Sequence, residues 1–478
     1  MRRLLALVVG VVALAGSAGH ASTAVTRQEV TVTMADGTRI AATLWLPNGT
    51  PPAGGWPAIV LFHGLGGSRE DMNTLAQRVF LPGDSYAALT YDARGHGQSG
   101  GLIGVDGPKE IGDVKTMFEW LRDRPDISDT EIGAFGISYG GGEVWNSLVA
   151  GVPWAAIEVC ETWTDLAAAL VPQGLAKSGV IGGFLSEMPL EKFDPSVIAV
   201  RDAAFSENIG AVLPFAEARS SIRKLKGVKT PVFFMQGRRD FAFGLDQAFA
   251  AWKLLAGPKH LWIGLHGHPP STFPAADTPA MLLEGRQWFD HYLRRIPNGI
   301  DRKPAVEVAP VAWKGKTRGY ASPERPPGLG EWGMRSYPSS LTVTRTITPS
   351  GRIRLAFEPV RRAIDVFGSP YVGLTATATG GWSRIVAVLT ARTRAGKTIV
   401  ISGGGVPARP GRHDYVIHLI SQMTYVPAGA RLTVTLGASS LAQDPADLLY
   451  LQLPMPDAAR LSVIGRVNLS NLVVQPGY

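Results

Sequence analysis

The sequence predicts an α/β fold, a mostly parallel sheet covered on both faces by helices, followed by a domain built only of strands. Three observations carry this. Between residues 25 and 300, apolar runs such as Trp56–Phe62 and Tyr86–Tyr91 alternate with amphipathic stretches at strand–helix spacing. At Glu131–Gly142 a short apolar strand runs into a glycine-flanked serine, Gly136-Ile137-Ser138-Tyr139-Gly140, and then into a helix. Beyond Asp301 the helical period disappears, and short alternating runs such as Tyr371–Ala378 and Ile385–Thr393 follow one another between turns.

In chain order, Gln28–Pro47 alternates on either side of Asp36-Gly37 and predicts a hairpin. Trp56–Phe62 is apolar on both faces, as a central parallel strand must be, and ends in His63-Gly64-Leu65-Gly66-Gly67-Ser68. A helix is predicted from the cap Ser68, with Glu70 and Asp71 in its first turn, to about Phe80. After the strand Tyr86–Tyr91 comes Asp92–Gly100, then a helix whose Ile111, Val114, Met117, Phe118 and Leu121 share one face. Another strand is expected near Ala155–Thr162. The alternation then breaks over residues 165–229, which predicts a helical insertion capping the carboxyl edge of the sheet. Strands resume at Pro231–Gly237 and His260–Leu265, and a last helix, Pro279–Arg295, ends near Pro297-Asn298-Gly299, the expected boundary between domains of residues 25–300 and 301–478.

The 478 residues, 45% hydrophobic, suffice for more than one core. The net charge of +8 is spread along the chain without a basic block, which argues against a nucleic-acid stripe. Residues 1–24 read as a secretory signal: Arg2 and Arg3, an apolar run Leu4–Ala15, then small residues to Ala24. The expected location is therefore secreted or in the cell envelope, with no stable membrane span after cleavage. The single cysteine, Cys160, permits no internal disulfide and lies in an apolar run, where a buried thiol is expected.

Gly136 to Gly140 is the pattern of a nucleophile elbow, a sharp strand-to-helix turn that exposes a serine to a base. In such an architecture the acid and the histidine follow the serine in that order. Asp240, just after Pro231–Gly237, fits the acid, and Glu161 at the end of the preceding strand is the alternative. His266 and His268 both follow the last strand of the sheet. His268 is preferred because it lies deeper in the loop and can fold back over the sheet; His266 is the alternative base. The backbone N–H groups of Tyr139 and Leu65 are the expected donors to an oxyanion. No histidine–carboxylate cluster shows helical ligand spacing and no dinucleotide fingerprint opens a helix, so neither a metal nor a cofactor is expected.

Four motifs, Asp92-Ala93-Arg94-Gly95-His96-Gly97-Gln98-Ser99-Gly100, Gly136–Gly141, Gly237–Asp240 and Trp288-Phe289-Asp290-His291-Tyr292-Leu293, together with Phe367-Gly368-Ser369-Pro370 in the tail, carry a resemblance. The chain resembles the X-Pro dipeptidyl-peptidase and cocaine-esterase family of serine hydrolases. The resemblance implies an α/β-hydrolase fold with a helical cap, a C-terminal jelly-roll-like domain packed on both, and a triad of Ser138, Asp240 and His268. Many family members place a tyrosine after the strand that here ends in His63-Gly64-Leu65-Gly66-Gly67, a loop more like that of general esterases and lipases. The leading expectation is hydrolysis of small carboxylic esters through an acyl-enzyme. Cleavage of X-Pro or other peptides on the same triad is the alternative, and a third reading is an envelope-polysaccharide-binding protein with an idle hydrolase domain.

Overall fold

A run apolar on both faces can be satisfied only by helices on both sides of a sheet, and the chain forms that arrangement. The computed structural model describes residues 25–83, 86–320, 335–336, 339–440, 449–470 and 473–476; the expected signal segment, residues 1–24, lies outside them. The hairpin β1 (Val25–Thr33) and β2 (Arg39–Pro47) pairs in antiparallel register with Val32 opposite Ile40. Then follow β3 (Trp56–Phe62), α1 (Arg69–Leu75), β4 (Ala87–Tyr91), α2 (Pro108–Arg122), β5 (Ile127–Ile137), α3 (Tyr139–Val149) and β6 (Ile157–Cys160). The turn expected to close the first helix at Phe80 is a π-helical segment, Ala76–Phe80. On α2 the predicted apolar face holds, with Val114, Met117, Phe118 and Leu121 buried.

Between β6 and β7 (Val232–Gly237) the insertion folds into four α-helices, α4 (Leu166–Leu170), α5 (Ser178–Leu185), α6 (Pro195–Phe205) and α7 (Ile209–Glu217), with 3₁₀ turns between them. The sheet resumes with β7, α8 (Leu245–Leu254), β8 (Lys259–Gly264) and α9 (Thr278–Tyr292). Helix α8 has no counterpart in the sequence reading. Two further strands, β9 (Val306–Val308) and β10 (Arg318–Tyr320), lie past the boundary expected at 300/301 and join the same sheet. Their physical reason is the edge of β8: β9 runs parallel to it, Leu261 opposite Val306, and covers backbone that would otherwise be exposed. The sheet order is β1-β2-β4-β3-β5-β6-β7-β8-β9-β10. Pairs from β3 to β9 are parallel, with the hairpin and β10 antiparallel at the two edges.

The C-terminal region forms three four-stranded sheets in which every recorded pair is antiparallel. Its inner core, including Val372, Ile385, Leu389, Ile417 and Val434, is separate from that of the catalytic sheet. A smaller cluster ties the parts together: Trp163 just after β6, Leu166 of the insertion, Phe241 and Phe243 after β7, and Val386, Val388 and Val400 of the β domain pack as one group. No helix among the described residues is long and apolar enough to cross a membrane.

Candidate active site

Glycine at the elbow is demanded by distance. A Cβ on Gly136 would lie 2.3 Å from the carbonyl oxygen of Gly140, and one on Gly140 would lie 2.4 Å from that of Phe62. The strand and the helix thus meet closer than any side chain allows. Ser138 sits at the apex with φ 53° and ψ −115°, a conformation that costs a non-glycine residue about 1–3 kcal/mol and is held by its surroundings. Ser138 N–H donates to Cys160 O at 2.8 Å, and Thr162 Oγ1 donates to Ser138 O at 2.7 Å, so the end of β6 clamps the turn.

The structure brings Ser138, His268 and Asp240 into one hydrogen-bonded line. Ser138 Oγ is 2.8 Å from His268 Nε2, and His268 Nδ1 is 2.8 Å from Asp240 Oδ2. Asp240 is fully buried and cannot swing: its Oδ1 accepts from the N–H groups of Ala242 and Phe243 at 2.9 and 2.8 Å, and its Oδ2 also accepts from the His268 N–H at 3.2 Å. Burial pulls the pKa of the His268 ring down, but the charge and hydrogen bond of Asp240 outweigh it and leave the ring above its ordinary value. A proton taken from Ser138 would therefore be held on the imidazole by a fixed carboxylate.

The two alternatives occupy different places. His266 makes no bond to Ser138; it is buried, with Nε2 3.9 Å from Glu161 Oε1, and burial holds it below the usual histidine range. Glu161 does not bond the His268 ring either. Its backbone is left-handed (φ 49°), its carboxylate oxygens have no hydrogen-bond partner among the described residues, and burial pushes its pKa up to about 8. At neutral pH it is a protonated carboxyl beside Asp240 rather than the acid that orients the base.

Around the serine, the loop after β3 supplies the other wall. The position of a Gly64 Cβ would be 3.7 Å from Ser138 Cβ, so this loop passes directly over the nucleophile. Leu65 N–H follows at its crest, and Tyr139 N–H opens α3. His63 itself serves the scaffold, since its Nδ1 meets Gly64 O at 2.7 Å and its Nε2 accepts from Ala93 N–H at 3.0 Å. The motif Asp92–Gly100 is likewise structural. Asp92 pairs with Arg69 and accepts from Gln98 N–H at 2.8 Å, while Arg94 is clasped by Asp113 and Asp36 at 2.6 and 2.7 Å.

Residues that the sequence reading did not single out complete the site. Phe184 of α5 and Phe243 stand edge-on to His268, with ring centroids 5.7 and 5.2 Å away. Phe184, with Gly179, Gly183 and Phe241, borders a cavity of about 20 Å³ next to the imidazole. Lys177, buried in the insertion, donates to the carbonyls of Phe241 and Ala242 at 2.8 and 2.6 Å, and burial lowers its pKa to about 8. Glu187, half-buried just past α5, lies where a Gly66 Cβ would be 3.1 Å from its own Cβ, and burial pushes its carboxyl up to about 7 against the pull of His268. No local pattern marks these residues, since each acts through a partner distant in sequence.

Among the described residues, three buried groups bring potential metal ligands within 4.8 Å of one another, although none has helical spacing in sequence. Glu161, Asp240 and His268 are the site just described. In the group of His260, Glu284 and Glu307, the two carboxylates already hold the His260 ring and the ammonium of Lys303 between them. In the third, Cys160, Glu161 and His266, burial keeps the Cys160 thiol well above its ordinary pKa and so protonated, which opposes metal ligation.

Residues 36–269 match the model of the X-Pro dipeptidyl-peptidase (S15 family). The chain is 26% identical over 253 residues to a Bacillus anthracis protein described as a candidate Xaa-Pro dipeptidyl-peptidase, a match covering 47% of this chain and 41% of that one. It spans about half the length, or less, of the curated relatives it matches. Among solved structures, a CocE/NonD family hydrolase from Staphylococcus aureus superposes with a TM-score of 0.70 at 14% identity, covering 93% of this chain and 94% of that one. An α-amino acid ester hydrolase superposes with a TM-score of 0.65 at 17% identity, covering 98% and 99%. The resemblance carried by the sequence motifs is thus shown, and the fold is α/β-hydrolase-like with additional antiparallel sheets in the C-terminal region.

Proposed function

We propose that the chain is a serine hydrolase that cleaves carboxylic esters through an acyl-enzyme on Ser138. The observation that carries this is the continuous line Ser138 Oγ, His268 Nε2 and Nδ1, Asp240 Oδ2, with both links at 2.8 Å. His268 takes the hydroxyl proton as Oγ attacks the substrate carbonyl, and the resulting imidazolium is stabilised by Asp240. The negative charge on the carbonyl oxygen faces the N–H groups of Tyr139 and Leu65. His268 then gives its proton to the departing alcohol, and a water, activated by the same ring, releases the acid. Because the base must be neutral and its pKa lies above the ordinary value, kcat/KM rises with pH through a limb above about 6.5.

Peptidase action on the same residues is the second reading, favoured by the S15 match and by one carboxylate. Glu161 is sealed and protonated at neutral pH, whereas Glu187 is half-buried beside the loop that passes over Ser138, where it can meet a substrate amine. Comparing turnover of a short-chain acyl ester with that of an X-Pro amide separates the two, and clear preference for the amide overturns the ester reading. A fluorophosphonate probe should label the protein but not Ser138→Ala. Absence of labelling would instead favour a β domain that binds envelope polysaccharide beside an idle hydrolase fold. The signal-like residues 1–24 support export; an exported protein whose N-terminal sequence still begins at Met1 would refute cleavage.

A further inference from the structure

The loop that presents Asp240, residues 238–244, lies between β7 and α8 and is neither strand nor helix beyond one bridge from Asp240 to Pro270. A catalytic carboxylate must nevertheless be held to within about half an ångström. The catalytic sheet and the insertion hold part of this loop, through Gln236 to Phe243 O and Lys177 to Phe241 O and Ala242 O, and the β domain holds the stretch that carries Asp240. Gln422 Nε2, nearly fully buried, donates to the carbonyl oxygen of Asp240 at 2.6 Å. On either side of it in the chain, Met423 N–H donates to Arg238 O at 2.7 Å, and Ser421 O accepts from Leu245 N–H at 3.0 Å. Arg238 forms a buried ion pair with Asp365 and donates to Met423 O at 3.2 Å, while Arg239 donates to Val400 O at 2.7 Å. The loop is thus stitched to the edge of the β domain at both ends and at the acid itself.

We propose that Gln422 of the β domain is a positioning residue for the hydrolytic reaction, acting through Asp240: its amide fixes the backbone from which the carboxylate reaches His268. This rests on the serine-hydrolase reading above. An unsatisfied Asp240 carbonyl in this buried setting would turn toward another donor and carry the side chain with it. The Oδ1 bonds to Ala242 and Phe243 hold the carboxylate relative to its own loop. Gln422 ties the Asp240 backbone itself to the β domain.

The test compares the wild type, Gln422→Met, Gln422→Asn and Thr424→Val for fluorophosphonate labelling rate, for kcat and KM on a 4-nitrophenyl acetate substrate, and for thermal midpoint. Thr424, in the same strand, bonds Ile401 O within the β domain and does not touch the loop, so its variant reports on the strand alone. For Gln422→Met the expected result is a fall in kcat of roughly tenfold with KM within about twofold. The acid limb of kcat/KM moves to lower pH as well, because a loosened Asp240 raises the His268 pKa less. The other charged or titratable groups about the ring, Glu161, Lys177, Glu187 and His266, are unchanged in every variant. Gln422→Asn, which keeps the amide but shortens its reach, falls between the two, and carries the same comparison if Gln422→Met does not fold. Thr424→Val matches the wild type. An unshifted acid limb in both Gln422 variants, with or without a fall in kcat, overturns the proposal. A wild type that the probe does not label overturns the underlying reading instead.

Discussion

Strand β3 in the catalytic sheet and strand Gly411–His418 in the β domain bury their residues in opposite ways. In β3 every residue after Trp56 is buried, including the neighbours Ile59 and Val60, which point to opposite faces. In Gly411–His418, Tyr415 and Ile417 are buried while Asp414, Val416 and His418 are exposed. The first strand lies between two layers of helix and the second has a core on one side only. The difference governs where chemistry can sit. With both faces covered, the catalytic sheet can offer reactive groups only beyond its strand ends, and Ser138, Asp240 and His268 all lie in loops following β5, β7 and β8.

The contrast can be broken or sharpened by substitution. The largest effect is on chemistry alone: Ser138→Ala should lower turnover by roughly 10⁴- to 10⁶-fold while the thermal midpoint stays near that of the wild type, and residual activity within tenfold of the wild type would place the nucleophile elsewhere. Next is backbone crowding. Gly140→Ala puts a Cβ 2.4 Å from the Phe62 oxygen and should cost more than about 3 kcal/mol in denaturant titration. Gly373→Ala in the β domain, whose nearest neighbour would be 3.9 Å away, should change stability by no more than about 0.5 kcal/mol.

A scan of adjacent residues comes third. Ile59→Ala and Val60→Ala should each cost about 2–4 kcal/mol, whereas in the β domain Ile417→Ala should cost about as much and Val416→Ala, 51% exposed, under about 0.5. Equal costs at Ile417 and Val416 would contradict one-sided burial. The smallest expected effect concerns Glu161. Its folded-state pKa of about 8 exceeds the unfolded value, so the folded protein binds the extra proton between roughly pH 4.5 and 8, and stability falls as pH rises through that window. Glu161→Gln removes this contribution. Its denaturation midpoint should fall less than that of the wild type between those pH values, and an unchanged slope would mean that Glu161 is already ionised.

Wherever a structural demand is local, the sequence expressed it. The double-sided burial of β3 and β4 dictates continuous apolar runs, the hairpin needs its Asp36-Gly37, and the elbow needs Gly136 and Gly140 at fixed distances from Ser138. Choosing His268 over His266 rested on the length of one loop. What stayed hidden were relations between distant segments. Helix α8 is the exception, since Leu245, Ala248, Phe249 and Trp252 stand at i, i+3, i+4 and i+7, a local stripe that the reading of the chain passed over. Strands β9 and β10 are three residues each, too short for a period to register. Lys177, Glu187 and Gln422 are ordinary polar residues in sequence, and their roles arise only from what the fold sets against them.

The bond from Gln422 to Asp240 joins positions 182 residues apart. During synthesis the sheet through β10 and the insertion above it can collapse while the strand carrying Gln422 has yet to be made, since domains form as units from the N-terminal side. A nascent chain at that stage would carry its nucleophile and its base, but an acid loop still without its anchor. On the role proposed for Gln422, the residue that aligns the acid is thus made after the serine, the acid and the histidine that it serves.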